Sequence, residues 1–291
     1  MARFTSSKAV VTLSILALSV VLATAACACV GVRPLAMGGA FIGLADNADA
    51  TYWNPAGLTQ LEQASGTFMH TITNRDAINY QDFASYSTPM KNGKSVWGAS
   101  WISYKLGLGT EVDNQNWIWA SVATKINDKT SVGVNVKSIS DSVDGVDTGV
   151  GIDLSIFSRI NDKWSVGLLV QNANEPKTTI SGLGSMTWVR NWRPGVAFRP
   201  DAGSVWTADL YDATDNGAQS LRFGYEKMLK NGISLRAGYY GLGMEGAQSF
   251  TFGIGQTKMQ GSKGHYTNMD SGIAVMVGDV DAVLGSVSLE F

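Results

Sequence analysis

The chain has 291 residues, with 22 lysines and arginines against 24 aspartates and glutamates, for a formal net charge of −2. No basic stripe runs along it, which excludes the nucleic-acid-binding class. Hydrophobic residues make up 45% and charged residues 16%, with 33 glycines and 9 tryptophans. So apolar and glycine-rich a composition favours many short strands over helices.

The N-terminus has the layout of a secretory signal. Two basic residues in 1–8 precede an apolar run over 9–25 that ends in small residues, which predicts removal of residues 1–25 and export. A retained membrane helix is the alternative interpretation. Cys27 and Cys29 lie at this junction, where a lipid could be attached. Later residues contain no cysteine, so the sequence predicts no disulfide framework.

Several later segments alternate strictly between apolar and polar residues. In QSLRFGYEKML (219–229), Leu221, Phe223 and Tyr225 share one face of a strand and Arg222 lies on the other. About fourteen such segments have the length that a tilted strand needs to cross a bilayer. They are predicted at 63–73, 77–89, 95–106, 116–126, 130–140, 148–160, 163–172, 187–200, 203–213, 219–229, 232–242, 248–258, 271–279 and 283–291.

A polar sequence recurs between these segments. INDKTSVG (126–133) returns as INDKWSVG (160–167), and looser copies stand at 90–98 and 229–238. Asn followed by Asp or Gly in each copy (KNGK, NDKT, NDKW and KNGI) predicts a tight hairpin turn after an even-numbered strand. Longer loops follow most odd-numbered strands, although 260–271 predicts a long turn at the short-turn end. Short turns at one end and long loops at the other indicate an all-β, transmembrane antiparallel barrel of the bacterial outer membrane. A secreted β-sandwich or solenoid is the alternative.

Aromatic and charged residues agree with a barrel. Tryptophans near strand ends are predicted to lie at the membrane boundary: Trp97, Trp117, Trp119, Trp164, Trp188 and Trp206. Charged residues at polar positions of the strands are predicted to face the lumen: Lys137, Asp153, Arg222, Glu226 and Arg236.

Residues 26–62 break the strand pattern and precede a barrel predicted over 63–291. A fourteen-stranded barrel would leave a bore that this compact segment could fill as a hatch or plug. Its apolar side chains need burial and are predicted to contact the plug interior or a ligand: Met37, Phe41, Ile42, Tyr52 and Trp53.

Two motifs in this segment resemble a known signature. RPLAMGGAF (33–41) and NADATYWNPAGL (47–58) are similar to the N-terminal segments of FadL-type outer-membrane barrels and of the related PorV/PorQ group. The resemblance implies fourteen strands with an N-terminal hatch. In the fatty-acid transporters an Asn-Pro-Ala turn of the hatch lies near a kinked strand that opens the wall sideways, so it also implies such a turn at Asn54, Pro55 and Ala56.

A local irregularity is predicted in the strand at 187–200. Pro194 cannot donate to a sheet ladder, and Arg190 shares its parity with Trp188 and Trp192. We hypothesise a kink that forms part of a gap in the wall. An ordinary β-bulge is the alternative.

The remaining motifs do not predict a metal, nucleotide or catalytic site. Asp141, Asp144 and Asp147 lack the spacing of a known calcium loop, so no metal site is predicted. GLGMEG (241–246) lies at a hairpin rather than between a strand and a helix. His70 and His265 fall in different regions, and no G-x-S-x-G element is present. The sequence predicts neither an enzyme nor a cofactor.

The sequence therefore predicts an outer-membrane barrel for passive passage of small hydrophobic or amphipathic compounds through a hatch-gated lumen. Its expected partners are the lipid bilayer and a hydrophobic small molecule, with no nucleic acid. The alternative is a non-transporting, PorV-like barrel that serves as a docking, secretion-accessory or structural subunit and has a protein partner.

Overall fold

The computed structural model describes residues 30–72, 80–108, 111–141, 149–180, 184–213, 219–243, 248–262, 265–278 and 282–290. The predicted signal segment, both cysteines, most of the aspartate-rich loop and part of GLGMEG lie outside these ranges. Three short helices come first: α1 (Val32–Ala36), α2 (Ala50–Trp53) and a 3-10 helix (Pro55–Gln60). No helix in the described ranges is long and apolar enough to cross a bilayer.

Within the described ranges, fourteen of the sixteen strands form one closed antiparallel barrel, which confirms the predicted fold class. The other two strands, β8 and β9, form a separate hairpin. The barrel closes where β1 pairs with β16, from Ser65 opposite Glu290 to Ile72 opposite Val283. The strands are β1 (Ser65–Ile72), β2 (Tyr80–Pro89), β3 (Ser95–Leu108), β4 (Glu111–Lys125), β5 (Thr130–Asp141), β6 (Gly149–Arg159), β7 (Trp164–Gln171), β8 (Lys177–Ile180), β9 (Gly184–Thr187), β10 (Asn191–Asp201), β11 (Ser204–Tyr211), β12 (Ser220–Met228), β13 (Ile233–Leu242), β14 (Ser249–Ser262), β15 (His265–Gly278) and β16 (Ala282–Glu290).

Where side chains of the barrel strands are described, the exposed outward positions are mostly apolar and the charged side chains mostly face inward. On β6, Val150 and Leu154 are 55% and 46% exposed, whereas Asp153 between them is 4% exposed. Exposed outward apolar residues on the other strands include Phe68, Ile118, Val122, Val134, Val166, Phe223, Leu235, Phe252 and Ile273. This arrangement is the inverse of a water-soluble protein and suits a barrel that has lipid outside and polar groups inside.

Three of the four copies of the recurring polar sequence form the same turn, as predicted, and in the fourth the Oδ1 of Asn231 accepts from the N–H of Ile233 (3.2 Å). The side-chain Oδ1 of Asn127 accepts hydrogen bonds from the backbone N–H groups of Lys129 (2.9 Å) and Thr130 (2.8 Å). Asn92 and Asn161 make the equivalent pairs of hydrogen bonds in their own turns. An asparagine that closes the turn onto its own backbone explains why these sequences recur at strand ends.

Three predicted details were wrong. The long turn at 260–271 is not formed, because β14 and β15 remain paired up to Ser262 opposite His265. The loop before β10 contains the β8–β9 hairpin, and β10 begins only at Asn191. Trp117 and Trp119 do not lie at the membrane boundary, because their inward parity places them inside the barrel, 9% and 4% exposed.

The strand pairing changes at Pro194, where a kink or an ordinary β-bulge was predicted. Pairing of β10 with β7 continues without a break from Asn191 to Phe198. On the other side, β10 pairs with β11 from Gly195 onward, and beyond Pro194 the Trp192 carbonyl accepts a 2.8 Å hydrogen bond from the N–H of Ala213. That bond is offset by one residue from the ladder. The β10–β11 ladder is therefore irregular before Gly195, as either a kink or a β-bulge would make it, and the wall gap stays a prediction.

Candidate functional site: the filled lumen

The N-terminal segment, residues 30–62, lies inside the barrel. Helix α1 packs against β13, β14, β15 and β16, while the 3-10 helix packs against β3, β4, β5 and β6 on the opposite side. Nearly every residue of the segment is buried. The lumen is therefore occupied from wall to wall at this level.

The apolar residues singled out in the sequence form a small core within the lumen. Met37, Phe41, Ile42 and Trp53 are at most 1% exposed, and Tyr52 is 8% exposed. The Trp53 ring meets Phe41 and Tyr52 edge to face, with centroids 6.4 and 5.2 Å apart. Its Nε1–H donates a 2.9 Å hydrogen bond to the carbonyl of Val30. These side chains thus hold the segment in one compact fold.

The Asn-Pro-Ala motif attaches this fold to the wall. Asn54 accepts a hydrogen bond from the N–H of Ala56 (3.2 Å) and so caps the 3-10 helix that Pro55 begins. Its Nδ2 donates to the carbonyl of Ile42 (2.9 Å) and to that of Ile156 in β6 (3.2 Å). One amide therefore links two parts of the segment and the barrel wall.

Inward-facing polar side chains of the wall satisfy the backbone of the segment. The carboxylate Oδ2 of Asp209 accepts from the N–H groups of Phe41 (2.6 Å) and Ile42 (2.8 Å). The hydroxyl of Thr251 accepts from the N–H of Gly38 (2.9 Å) and donates to a carbonyl of α1 (3.0 Å). Buried backbone groups that lie outside a helix or sheet need such partners, so the polar side chains of the lumen stabilise the segment by hydrogen bonding to its backbone.

A charged network joins the segment to one side of the wall. Arg33 of α1 binds Asp46 (2.5 Å) within the segment and Glu226 of β12 (2.9 Å). Glu226 also accepts from Arg236 of β13 (2.6 Å), and Asp46 lies 3.5 Å from Arg199 of β10. Burial opposes the charge on Arg33, but the two carboxylates outweigh it and raise the pKa of this guanidinium above its ordinary value. Arg33 therefore stays charged and paired.

Glycines of the wall let the segment approach closely. A Cβ atom at Gly238 would overlap the amide nitrogen of Gly38, and one at Gly224 would stand 2.5 Å from the carbonyl oxygen of Met37. Gly38 itself has φ +66°, a conformation that glycine adopts readily. The inward-facing wall glycines that meet the segment in this way are Gly98, Gly133, Gly167, Gly195, Gly224, Gly238 and Gly253.

A cation–aromatic layer covers the segment on the side of the long loops. The guanidinium carbons of Arg193 and Arg222 each lie 4.1 Å from the ring centroid of Tyr211, and that of Arg222 lies 4.2 Å from the ring of Tyr240. Tyr52 of α2 lies close to both arginines. Burial raises the pKa of Tyr52, so its hydroxyl stays neutral near neutral pH.

The layer and the charged network were only partly visible in the sequence. Strand parity correctly predicted that Lys137, Asp153, Arg222, Glu226 and Arg236 face the lumen. Lys137 and Asp153 pair with each other at 2.7 Å. Parity could not predict which charges meet, because the partners come from strands far apart in the chain. The inward position of Arg193 was not predicted, because the alternation slips just before Pro194.

Several solved structures share this architecture. No protein-family model and no curated protein matches the chain. A FadL homologue from Pseudomonas aeruginosa superposes with a TM-score of 0.59 at 8% identity, over 92% of this chain and 97% of that one. The Pseudomonas putida toluene transporter TodX gives 0.59 at 13% identity, over 89% and 96%. A deltaS2 mutant of TodX, described as a monoaromatic hydrocarbon channel, gives 0.62 at 14%, over 90% and 99%. The chain therefore has a FadL-like barrel fold.

Proposed function

We propose that this protein lies in the bacterial outer membrane and lets small hydrophobic or amphipathic compounds cross it passively, with residues 26–62 acting as the hatch. The observation that carries the proposal is a ring of exposed apolar side chains around a polar, occupied lumen, which requires lipid around the barrel. The shared fold with a toluene transporter and a FadL homologue supports hydrophobic compounds as the cargo class.

Residues 26–62 must move for a compound to cross the lumen. Pairing of β7 with β10 is unbroken at Pro194, and the β10–β11 ladder begins at Gly195. A compound that enters from the long-loop end meets the buried core around Trp53 and Phe41. Passage then requires the segment to shift away from part of the wall, near the motif Asn54–Ala56.

A reversible cross-link tests this mechanism. The hydroxyls of Thr59 in the 3-10 helix and Ser131 in β5 are 2.9 Å apart and buried, so Thr59→Cys with Ser131→Cys offers a disulfide between hatch and wall. Cys27 and Cys29 are first replaced by serine. Oxidation should reduce toluene entry into proteoliposomes, and a reductant should restore it. The control is Thr59→Cys alone, whose toluene entry should not respond to oxidation.

A second candidate is a non-transporting barrel that docks or anchors another protein. The close fit of the segment into the wall glycines favours it, because such a fit suits a permanently closed lumen. Wild-type proteoliposomes with no toluene entry above protein-free vesicles, together with a stable partner recovered by pull-down, would support this candidate over passage. Toluene entry that the oxidised cross-link leaves unchanged would instead contradict the hatch mechanism.

A further inference from the structure

Two arginines in the wall are buried without satisfying all their hydrogen-bond donors. Arg193 of β10 and Arg222 of β12 are 3% and 2% exposed. The Nε and Nη1 atoms of Arg193 and the Nε of Arg222 have no hydrogen-bond partner among the described residues. A buried charged donor without an acceptor is costly, so these atoms indicate that an acceptor belongs there.

Neighbouring groups hold the arginines without supplying that acceptor. The ring centroids of Tyr211 and Tyr240 lie 4.1–4.2 Å from the guanidinium carbons, a distance at which the rings favour the charge. Arg193 also makes side-chain hydrogen bonds with Tyr52 and Tyr211, which still leave its Nε and Nη1 without an acceptor among the described residues. Arg222 also donates to the hydroxyl of Tyr240 (3.0 Å). Asp209, on the strand between them, directs Oδ2 to the hatch backbone, and its Oδ1 makes no hydrogen bond to a described residue. The two arginines are therefore oriented in advance of any ligand.

The position of the pair limits what could bind. Each arginine stands two residues from the long-loop end of its strand, at Asn191 and Ser220. Tyr52 lies close to both, and the side chains of Phe41 and Trp53 behind it are fully buried. A long acyl chain would have to displace this core, whereas a single ring or a short chain need not enter it.

We propose that Arg193 and Arg222 form a binding site for the carboxylate of a compact aromatic or short-chain acid on the long-loop side of the hatch. Guanidinium N–H groups and a carboxylate form the strong, charge-assisted hydrogen bonds that the free donors lack. The tyrosine rings provide an apolar surface for the rest of the ligand. The inference rests on the proposed function, since it names the compounds that the lumen would select.

Binding of benzoate to the full mature chain in nanodiscs tests the site. Arg193→Met and Arg222→Met keep much of the apolar stem and remove the donors. Each should weaken benzoate binding, measured by calorimetry, by about tenfold or more, the effect of losing a hydrogen bond to a charged group. The control is Arg190→Met, because Arg190 is 44% exposed in its side chain and 3.9 Å from Glu175. Its benzoate affinity should match the wild type.

Further ligands and variants separate the outcomes. Arg222→Lys keeps the charge and should retain more benzoate affinity than Arg222→Met, which a purely structural role would not require. Heat-modifiable mobility in SDS gels confirms folding, and Arg193→Met provides the test if Arg222→Met does not fold. Benzoate affinity unchanged in both methionine variants would overturn the site. Equal or tighter binding of inorganic phosphate or palmitate would overturn the ligand class.

Failure of this inference is distinguishable from failure of the proposed function. Wild-type proteoliposomes that admit toluene while benzoate binding ignores Arg193 and Arg222 would remove only the carboxylate site.

Discussion

At the scale of single residues, the absence of a side chain matters as much as its presence. Wall glycines face the N-terminal segment at points where its backbone passes within van der Waals contact of the strand. Interiors this closely packed respond to the addition of one methyl group. The high glycine content, which in the sequence indicated only strands and turns, therefore also serves the fit between hatch and wall.

We expect Gly238→Ala to loosen the hatch. The new Cβ would overlap the backbone nitrogen of Gly38, which cannot rotate away as a side chain could. Overpacking of this kind costs about 1–3 kcal/mol. Limited proteolysis within residues 30–62 should accelerate in intact proteoliposomes. The control is Gly285→Ala, because no atom lies within 4 Å of its added Cβ. Equal cleavage rates in the two variants would contradict the proposed steric role of Gly238.

Asp209 provides a second test at this scale. Asp209→Leu leaves the N–H groups of Phe41 and Ile42 without their acceptor, at about 1–3 kcal/mol for each buried donor. Asp209→Asn keeps one acceptor oxygen and should be milder. We expect the temperature of unfolding, followed by the gel-mobility shift in SDS, to fall in the order wild type, Asn, Leu. A leucine variant as stable as the asparagine variant would show that the two hydrogen bonds contribute little.

At the scale of elements, strands were predictable and the contacts between distant elements were not. Alternation and the asparagine turns predicted all fourteen barrel strands, because both are local properties. The β14–β15 hairpin was wrongly shortened because the sequence QGSKGHYTNMDS lacks clear alternation, although its backbone pairs. The resemblance to FadL-type barrels pointed to the motif Asn54–Ala56, but only the structure shows that the side-chain amide of Asn54 donates a hydrogen bond to the carbonyl of Ile156 in β6. The partners of Arg33 and Arg193 depend on barrel register, which no local pattern contains.

The pairing of α1 with β12 through Arg33 and Glu226 can be measured with a double-mutant cycle. We expect Arg33→Met and Glu226→Gln to couple by more than about 1 kcal/mol in unfolding free energy, because both groups are largely shielded from water. The matched control is Lys227 with Asp201, a 3.4 Å pair whose side chains are 39% and 56% exposed. Exposed pairs contribute about 0–1 kcal/mol. Equal coupling in the two cycles would contradict a special role for Arg33.

At the scale of the whole molecule, the outer surface and the lumen exchange the roles they have in soluble proteins. Outward apolar residues remain exposed, and inward charged residues are buried in pairs or against the hatch. Three exposed outward tryptophans lie toward the short turns, Trp97, Trp164 and Trp206, and Trp192 lies at the long-loop end of β10. The Trp164 ring stacks on Phe198 with ring centroids 4.4 Å apart, and the Trp206 ring packs at a tilt against Tyr225 with centroids 4.3 Å apart. Such a band is typical of the membrane boundary.

Quenching by brominated lipid should report this inversion. Trp206 is 54% exposed on the outside, and Trp119 is 4% exposed inside. We expect Trp206→Phe to reduce the lipid-quenchable fraction of tryptophan fluorescence in proteoliposomes. The matched variant Trp119→Phe should lower mainly the unquenched part. If Trp119→Phe reduced the lipid-quenchable fraction and Trp206→Phe did not, the outward position of Trp206 and the inward position of Trp119 would be wrong.

The pairing of β1 with β16 has a consequence for biogenesis. The two strands come from opposite ends of the barrel sequence, so their seam forms only after the strands between them are available. The N-terminal segment is tethered directly to β1, one edge of that seam, and ends up enclosed on every side. We therefore expect it to fold inward while the seam is still open, since later entry would require threading through a finished cylinder. A chain that lacks β16 should accordingly leave residues 30–62 open to protease, however well the other strands assemble.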